Sequence, residues 1–134
     1  MIHRSEYCDV TYCQDLNAVL VMWKKFCCGD DYRKPLLCAL DIMRTHEGCQ
    51  YVADTRQGFE NDPADTAWVF DYFLPQAAQT DCKAIVFIID HNNALKEELE
   101  GQATELRKHF AVHYCFGLDE AAAFLRGLRG INHA

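Results

Sequence analysis

The stretch KAIVFIID, from Lys83 to Asp90, decides the fold class of this 134-residue chain. Its six consecutive apolar residues, 84–89, leave neither face of a strand suitable for water. Such a run is typical of an inner strand of a parallel sheet that is covered on both faces. The stretch therefore predicts a sheet with helices packed against it.

Strands and helices alternate outward from this run. Two β-prone runs around QDLN, residues 14–17, predict an antiparallel hairpin at the start of the chain. The other predicted strands, by range, are 18–23, 49–54 and 111–116, and the predicted helices are 30–48, 62–75, 91–110 and 118–128. The order β-β-α-β-α-β-α-β-α predicts an α/β fold with a mainly parallel sheet of about five strands.

Turn and cap residues set the predicted helix limits. Asp30 or Asp31 is suited to cap the first helix, and Gly48 to stop it. Asp62 followed by a first-turn proline predicts the start of the second helix. That helix should bend or restart near Pro75, because proline lacks a backbone donor.

Length and composition predict one domain, residues 1–134, with a substantial core, since half of the residues are hydrophobic. The first ten residues lack the apolar centre of a secretion signal, and no run of eighteen apolar residues predicts a membrane span. We therefore expect a cytoplasmic protein whose eight cysteines are reduced thiols. A net charge of −7 argues against nucleic acid as a partner.

Several short motifs resemble those of small bacterial STAS-like proteins, which are related to anti-sigma-factor antagonists and grouped with CRAL-TRIO lipid-binding domains. The resemblance runs from about Tyr12 to Leu125. Its carriers are the strand ending at Trp23, Tyr32-Arg33, Asp54-Thr55-Arg56, DTAW at residues 65–68, Pro75, Lys83 and DEAAAFL at residues 119–125. The resemblance implies a STAS-like fold and a ligand-binding or regulatory module.

One part of the family pattern differs. Phosphorylated anti-sigma-factor antagonists carry an Asp-Ser-Gly-type motif at a helix start, and here its counterpart is Asp65-Thr66-Ala67. Phosphate on Thr66 would add negative charge to an acidic neighbourhood and act as a repulsive switch. A plain hydrogen-bonding role for this threonine is the alternative, and the pattern favours it.

Asp54 and Arg56 lie where the strand 49–54 ends. Ligands of open α/β sheets bind at the carboxyl ends of strands, so a carboxylate and a guanidinium there can orient a small polar or anionic group. The alternative is a structural salt bridge or a cap, which the sequence favours.

The helix from about Pro63 to Pro75 is rich in large apolar residues. They cover more of its circumference than one buried face requires, which indicates a homodimer interface, a partner surface or the wall of an apolar pocket. Burial of both sides within the domain is an equal alternative. The predicted contact surface consists of Asp54, Arg56, Phe59, Trp68, Phe70, Tyr72 and Phe73.

Other chemistry lacks a sequence signature. Cys8, Cys13, Cys27 and Cys28 do not have zinc-site spacing, and the six histidines form no metal-binding array, so no metal is expected. Nucleophile-elbow, phosphate-loop and dinucleotide glycine patterns are absent, so no catalytic residue or cofactor is assigned.

The sequence thus favours a non-enzymatic regulatory or ligand-binding module. Its expected partner is a protein, a second copy of the chain, or a small amphipathic ligand. A lipid or small-molecule carrier with an apolar pocket is the first alternative. An enzyme that uses Asp54 and Arg56 is the second.

Overall fold

A computed structural model describes residues 3–57, 62–90, 104 and 106–133 of the chain. Its strands are β1 (His3–Arg4), β2 (Cys8–Cys13), β3 (Ala18–Trp23), β4 (Gln50–Asp54), β5 (Ala84–Ile88) and β6 (Ala111–Cys115). Its helices are α1 (Asp30–Thr45), α2 (Pro63–Trp68), α3 (Leu74–Ala78) and α4 (Leu118–His133), with a π-helical turn (Val69–Phe73) between α2 and α3. The predicted α/β class is confirmed. No helix in these described ranges is both long and apolar enough to cross a membrane.

The six strands form one sheet in chain order, from β1 to β6. β1, β2 and β3 pair antiparallel, whereas β3 to β6 pair parallel. The predicted hairpin is present, with Cys8 opposite Trp23 and Cys13 opposite Ala18. The sequence prediction missed β1, because a strand of two residues has no detectable periodicity.

The helices divide between the two faces of the sheet. Parallel strands that are added in one direction through right-handed crossovers place their helices on the same face. On this first face, α1 and the helical residues 63–78 pack against Tyr51 and Ala53 of β4. On the second face, α4 packs through Ala121 and Leu125, where Val52 lies in the same cluster. Side chains of β4 thus alternate between two separate cores.

The start of α1 differs from the prediction. Its N-cap is Gly29, which has φ 62° and no side chain, while Asp30 and Asp31 lie in the first turn. A carboxylate cap from either aspartate is therefore wrong. The Gly29 N–H instead donates to Asp65 Oδ2 at 3.0 Å. A residue of α2 therefore supplies the hydrogen-bond acceptor for the backbone N–H at the start of α1.

The helical residues 63–78, here called the aromatic segment, follow the prediction closely. Asp62 caps α2 by accepting the N–H of Ala64 at 3.1 Å. The expected irregularity before Pro75 takes the form of the π-helical turn, in which the Leu74 N–H donates to the Val69 carbonyl. Pro75 has no N–H for a regular helical bond, and the wide turn directly precedes it.

Most of the predicted helix 91–110 lies outside the described residues. Leu106 and Phe110, from its expected apolar stripe, are buried in the core of the first face. The last helix, α4, extends to His133 and is therefore longer than predicted.

Candidate functional site

Asp54 and Arg56 bind each other at the carboxyl end of β4. Arg56 Nε donates to Asp54 Oδ1 at 3.0 Å, and Nη2 donates to Oδ2 at 2.7 Å. The Arg56 backbone N–H donates to the same Oδ1 at 3.1 Å. These hydrogen bonds raise the pKa of Arg56. Because three donors already hold the carboxylate, few of its lone pairs remain to bind a ligand. The geometry supports the structural salt bridge.

The strand order also bears on the predicted site at this edge. Crevices at the carboxyl ends of strands open where the strand order reverses. From β3 to β6, each strand lies beside its predecessor in the same direction, and the order does not reverse. The end of β4 therefore lacks the topological feature that would make Asp54 and Arg56 part of a ligand crevice.

A second acid–arginine pair connects α1 to the aromatic segment. Asp65 is 1% exposed, and its Oδ1 accepts a hydrogen bond from Arg33 Nε at 2.9 Å. Its Oδ2 accepts the Gly29 N–H at 3.0 Å. Because both oxygens of this buried carboxylate are engaged, the pair fixes the start of α1 against α2.

Arg33 also lies over an aromatic ring. Its guanidinium carbon is 5.5 Å from the centroid of the Trp68 ring, which is a cation–π contact. Trp68 stacks in turn on Tyr72, with centroids 5.6 Å apart. Tyr72 is 43% exposed, so this row of side chains leads from the buried Asp65 to the surface.

The predicted contact residues of the aromatic segment have different environments. Trp68 and Phe70 are half-buried and pack against the core of the first face. Phe73 is 3% exposed and belongs to that core, so it contributes nothing to a contact surface. Phe59 lies outside the described residues. Of the contact residues predicted in the aromatic segment, Trp68, Phe70 and Tyr72 therefore lie at its surface.

The outer face of the aromatic segment is poor in charge. Only two of its sixteen residues are charged, and one of them, Asp65, is buried. By contrast, the sixteen residues of α1 include six charged residues. The exposed residues of the segment are Pro63, Ala64, Ala67, Asp71, Tyr72, Pro75 and Ala78. A helix that faces water usually carries charged side chains there, so this composition is unusual for a solvated face.

The neighbouring helix extends this face. Leu37 of α1 is 39% exposed and lies one turn after Arg33. Residues four apart share one side of a helix, so Leu37 is on the side of α1 that meets the aromatic segment. We define the aromatic surface as Leu37, Trp68, Phe70 and Tyr72 together with the exposed Ala64, Ala67, Pro75 and Ala78. It lies on the first face of the sheet, whereas alternation along β4 directs Asp54 toward the second.

Thr66 occupies the first part of α2, next to the buried Asp65. It is half-buried, and its backbone N–H donates to the Asp62 carbonyl at 3.0 Å. Phosphorylation of Thr66 stays a prediction. The position is notable because a phosphate there would add negative charge beside Asp62 and Asp65, at the border of the aromatic surface.

The thiols are mostly buried and free. Cys8, Cys27, Cys49 and Cys82 lie in the core of the first face. Burial raises the pKa of Cys49 to about 11 and that of Cys82 to about 12. Thiols with raised pKa values carry little thiolate at neutral pH and react slowly. Within the described part of the chain, no group of three or more His, Cys, Asp or Glu residues could hold a metal ion.

Sequence reasoning missed the Arg33–Asp65 pair and the role of Leu37. Arg33 and Asp65 both stand in the motifs that carry the family resemblance, but nothing in the sequence indicates that they bind each other. The low charge of residues 63–78 is, by contrast, visible in the sequence, and a count of charges per helix would have found it.

Comparisons of the chain with protein-family models, with curated protein sequences and with solved structures found no match.

Proposed function

We propose that the chain is a non-enzymatic regulatory module that acts by protein–protein contact through the aromatic surface, and that its partner is a second copy of the chain. The observation that carries the proposal is the composition of that surface. An outer helix face with one exposed charge, Asp71, beside a half-buried tryptophan and an exposed tyrosine is typical of the centre of an interface.

The contacts beneath the surface support a binding role. Trp68 lies under the Arg33 guanidinium and stacks on Tyr72, so two side chains hold its ring in place before any partner binds. A preorganised ring loses little side-chain entropy on association. Tryptophan, tyrosine and arginine are also the residues that most often dominate interface energetics.

The distribution of charge favours a second copy of the chain as the partner that binds the aromatic surface. Asp71 is exposed on the aromatic segment, while Lys34 and Arg44 are exposed on the neighbouring α1. An interface with twofold symmetry apposes the same patch on both subunits. A patch whose border carries both signs can then match acidic groups with basic ones, although the whole chain has a net charge of −7.

The test is the dissociation constant of the self-association, measured by sedimentation equilibrium. Trp68→Ala should weaken association by about 2 kcal/mol, or roughly thirtyfold in Kd. Tyr72→Ala should weaken it in the same direction. Phe116→Ala is the matched control, because Phe116 is an aromatic residue that is 39% exposed in the loop between β6 and α4. A chain that stays monomeric at every concentration, or a Kd that Trp68→Ala leaves unchanged, would contradict the proposal.

Two predictions from the sequence, a regulatory role and a cytoplasmic location, are part of this proposal. The resemblance to STAS-like regulators supports a regulatory role, and a cytoplasmic location fits that role. Contact with a small amphipathic ligand, and the lipid-carrier alternative, stay predictions. The enzyme alternative has the least support, because Asp54 and Arg56 are bonded to each other.

A further inference from the structure

A row of exposed side chains with a regular spacing follows the outer side of α1. Its members are Asp30, Lys34, Leu37, Asp41 and Arg44, which are separated by four, three, four and three residues. Residues three and four apart are neighbours on the surface of a helix. These five side chains, here called the α1 row, therefore form one continuous ridge about 21 Å long at 1.5 Å per residue.

The α1 row has an apolar centre and charged ends. Leu37 stands in the middle and is 39% exposed. An acid and a base precede it, Asp30 and Lys34, and an acid and a base follow it, Asp41 and Arg44. An exposed leucine between charged residues is typical of an interface in which a polar rim surrounds an apolar centre.

The order of the charges becomes complementary when the row is reversed. Asp30 and Arg44 are each seven residues from Leu37, and Lys34 and Asp41 are three and four residues from it. In two antiparallel rows, each acid therefore lies opposite a base, while Leu37 meets Leu37. In two rows that run in the same direction, each charge would face its own copy, and all four contacts would be repulsive.

The charges of the row are available for such contacts. In the part of the chain that the structure describes, none of Asp30, Lys34 and Asp41 takes part in an ion pair. Arg44 donates to the side-chain oxygen of Gln76, which is neutral, so the guanidinium keeps its positive charge.

The α1 row lies beside the aromatic segment. Arg33 binds Asp65 near the start of α1, and Arg44 binds Gln76 near its end. Both contacts join residues 32 positions apart, so the two helical stretches run side by side in the same direction. Because Leu37 belongs to the aromatic surface, the row extends that surface rather than forming a separate one.

From this arrangement, and resting on the self-association proposed above, we infer that two copies of the chain meet with their α1 helices antiparallel and the twofold axis at Leu37. Asp30 binds Arg44 of the second copy, and Lys34 binds Asp41 of the second copy. Twofold symmetry makes each contact twice, so four ion pairs flank the two leucines. Antiparallel helices also place opposite ends of their dipoles side by side.

The first variant tests whether the row lies in the interface. Lys34→Glu places a carboxylate opposite Asp41 of the second copy, twice in each dimer. The Kd of self-association, measured by sedimentation equilibrium, should rise by about tenfold. Arg126→Glu makes the same change of charge at an exposed position of α4 and is the matched control. It should leave the Kd unchanged.

A compensating substitution then identifies the opposed residue. Asp41→Lys alone should also raise the Kd, but Lys34→Glu with Asp41→Lys in one chain should restore it to within about threefold. The two positions are seven residues apart, or about 10 Å along one helix, so the compensation arises between copies. Lys34→Glu with Asp71→Lys has the same net charge but exchanges no opposed pair, so it should not restore the Kd.

Two outcomes overturn the inference alone. The first is a Kd that Lys34→Glu leaves unchanged while Trp68→Ala raises it, because the copies would then meet elsewhere on the aromatic surface. The second is restoration of the Kd by Asp71→Lys and not by Asp41→Lys, because α1 would then lie against the aromatic segment of the second copy. A chain that stays monomeric overturns the proposed function as well, so the two failures are distinguishable.

Discussion

The two faces of the sheet are stabilised in different ways. Each contains an aspartate–arginine pair, but on the first face Asp65 and Arg33 are 32 residues apart, whereas Asp54 and Arg56 are separated by one residue. The long-range pair joins two helices and supports Trp68. In the local pair, Asp54 and Arg56 bind each other and support no partner-binding surface. An acid–arginine pair with a short sequence separation is therefore easy to find in the sequence, but its proximity does not make it functional.

Removal of the buried carboxylate of the first face should have the largest effect on stability. Asp65→Ala leaves the Gly29 N–H and the Arg33 guanidinium without their acceptor, so we expect a loss of about 3 kcal/mol in the free energy of unfolding. Urea denaturation measures the change. Asp71→Ala removes an exposed carboxylate of the same segment and should change stability by less than about 0.5 kcal/mol. An equal effect of the two substitutions would show that the Asp65 contacts are not what joins α1 to α2.

The buried thiols of the first face provide a pH-dependent test. The pKa of Cys49 is about 11 and that of Cys82 about 12 in the folded chain, against an ordinary value of 9.0. Above pH 9 the unfolded chain loses these protons while the folded chain keeps them. Stability is therefore full below pH 9 and falls between pH 9 and 12, by about 3 kcal/mol at pH 10 for the two thiols together.

Denaturation curves between pH 8 and 10.5 measure this slope. Cys82→Ala removes one titrating group and should make the decline shallower, even though the variant starts from a lower stability. If stability is flat across this range, or if the slope is the same in Cys82→Ala, the thiols are not protected by burial in the core of the first face.

The smallest effect is expected on the second face. Arg56→Ala should cost about 1 kcal/mol, because Asp54 keeps the Arg56 backbone N–H and because neighbouring residues also interact in the unfolded chain. Self-association should be unchanged, since Asp54 and the aromatic surface belong to opposite faces. A loss of stability as large as that of Asp65→Ala would remove the difference between the two pairs, and weaker self-association would link the faces.

Much of the fold follows from local patterns in the sequence. The apolar run at residues 84–89 indicates the parallel sheet, and Asp62 and Pro75 correctly mark the start of α2 and the irregular turn before α3. These features depend on residues close together in the chain, so periodicity and backbone chemistry are enough to predict them.

The site is harder to predict, because its contacts join distant parts of the chain. The carboxylate that accepts the Gly29 N–H belongs to Asp65, and no local rule selects it over Asp30 or Asp31. The face on which Phe73 lies depends on the π-helical turn, which alters the helical period by an amount that the sequence does not reveal.

Native mass spectrometry of the purified chain tests most directly whether two copies associate through the aromatic surface. We expect ions at twice the chain mass of 15.4 kDa. These ions should be lost in the Trp68→Ala variant and kept in the Phe116→Ala control. Ions at the mass of a single chain alone, across the concentration range in which the variant and the unaltered chain are compared, would contradict it.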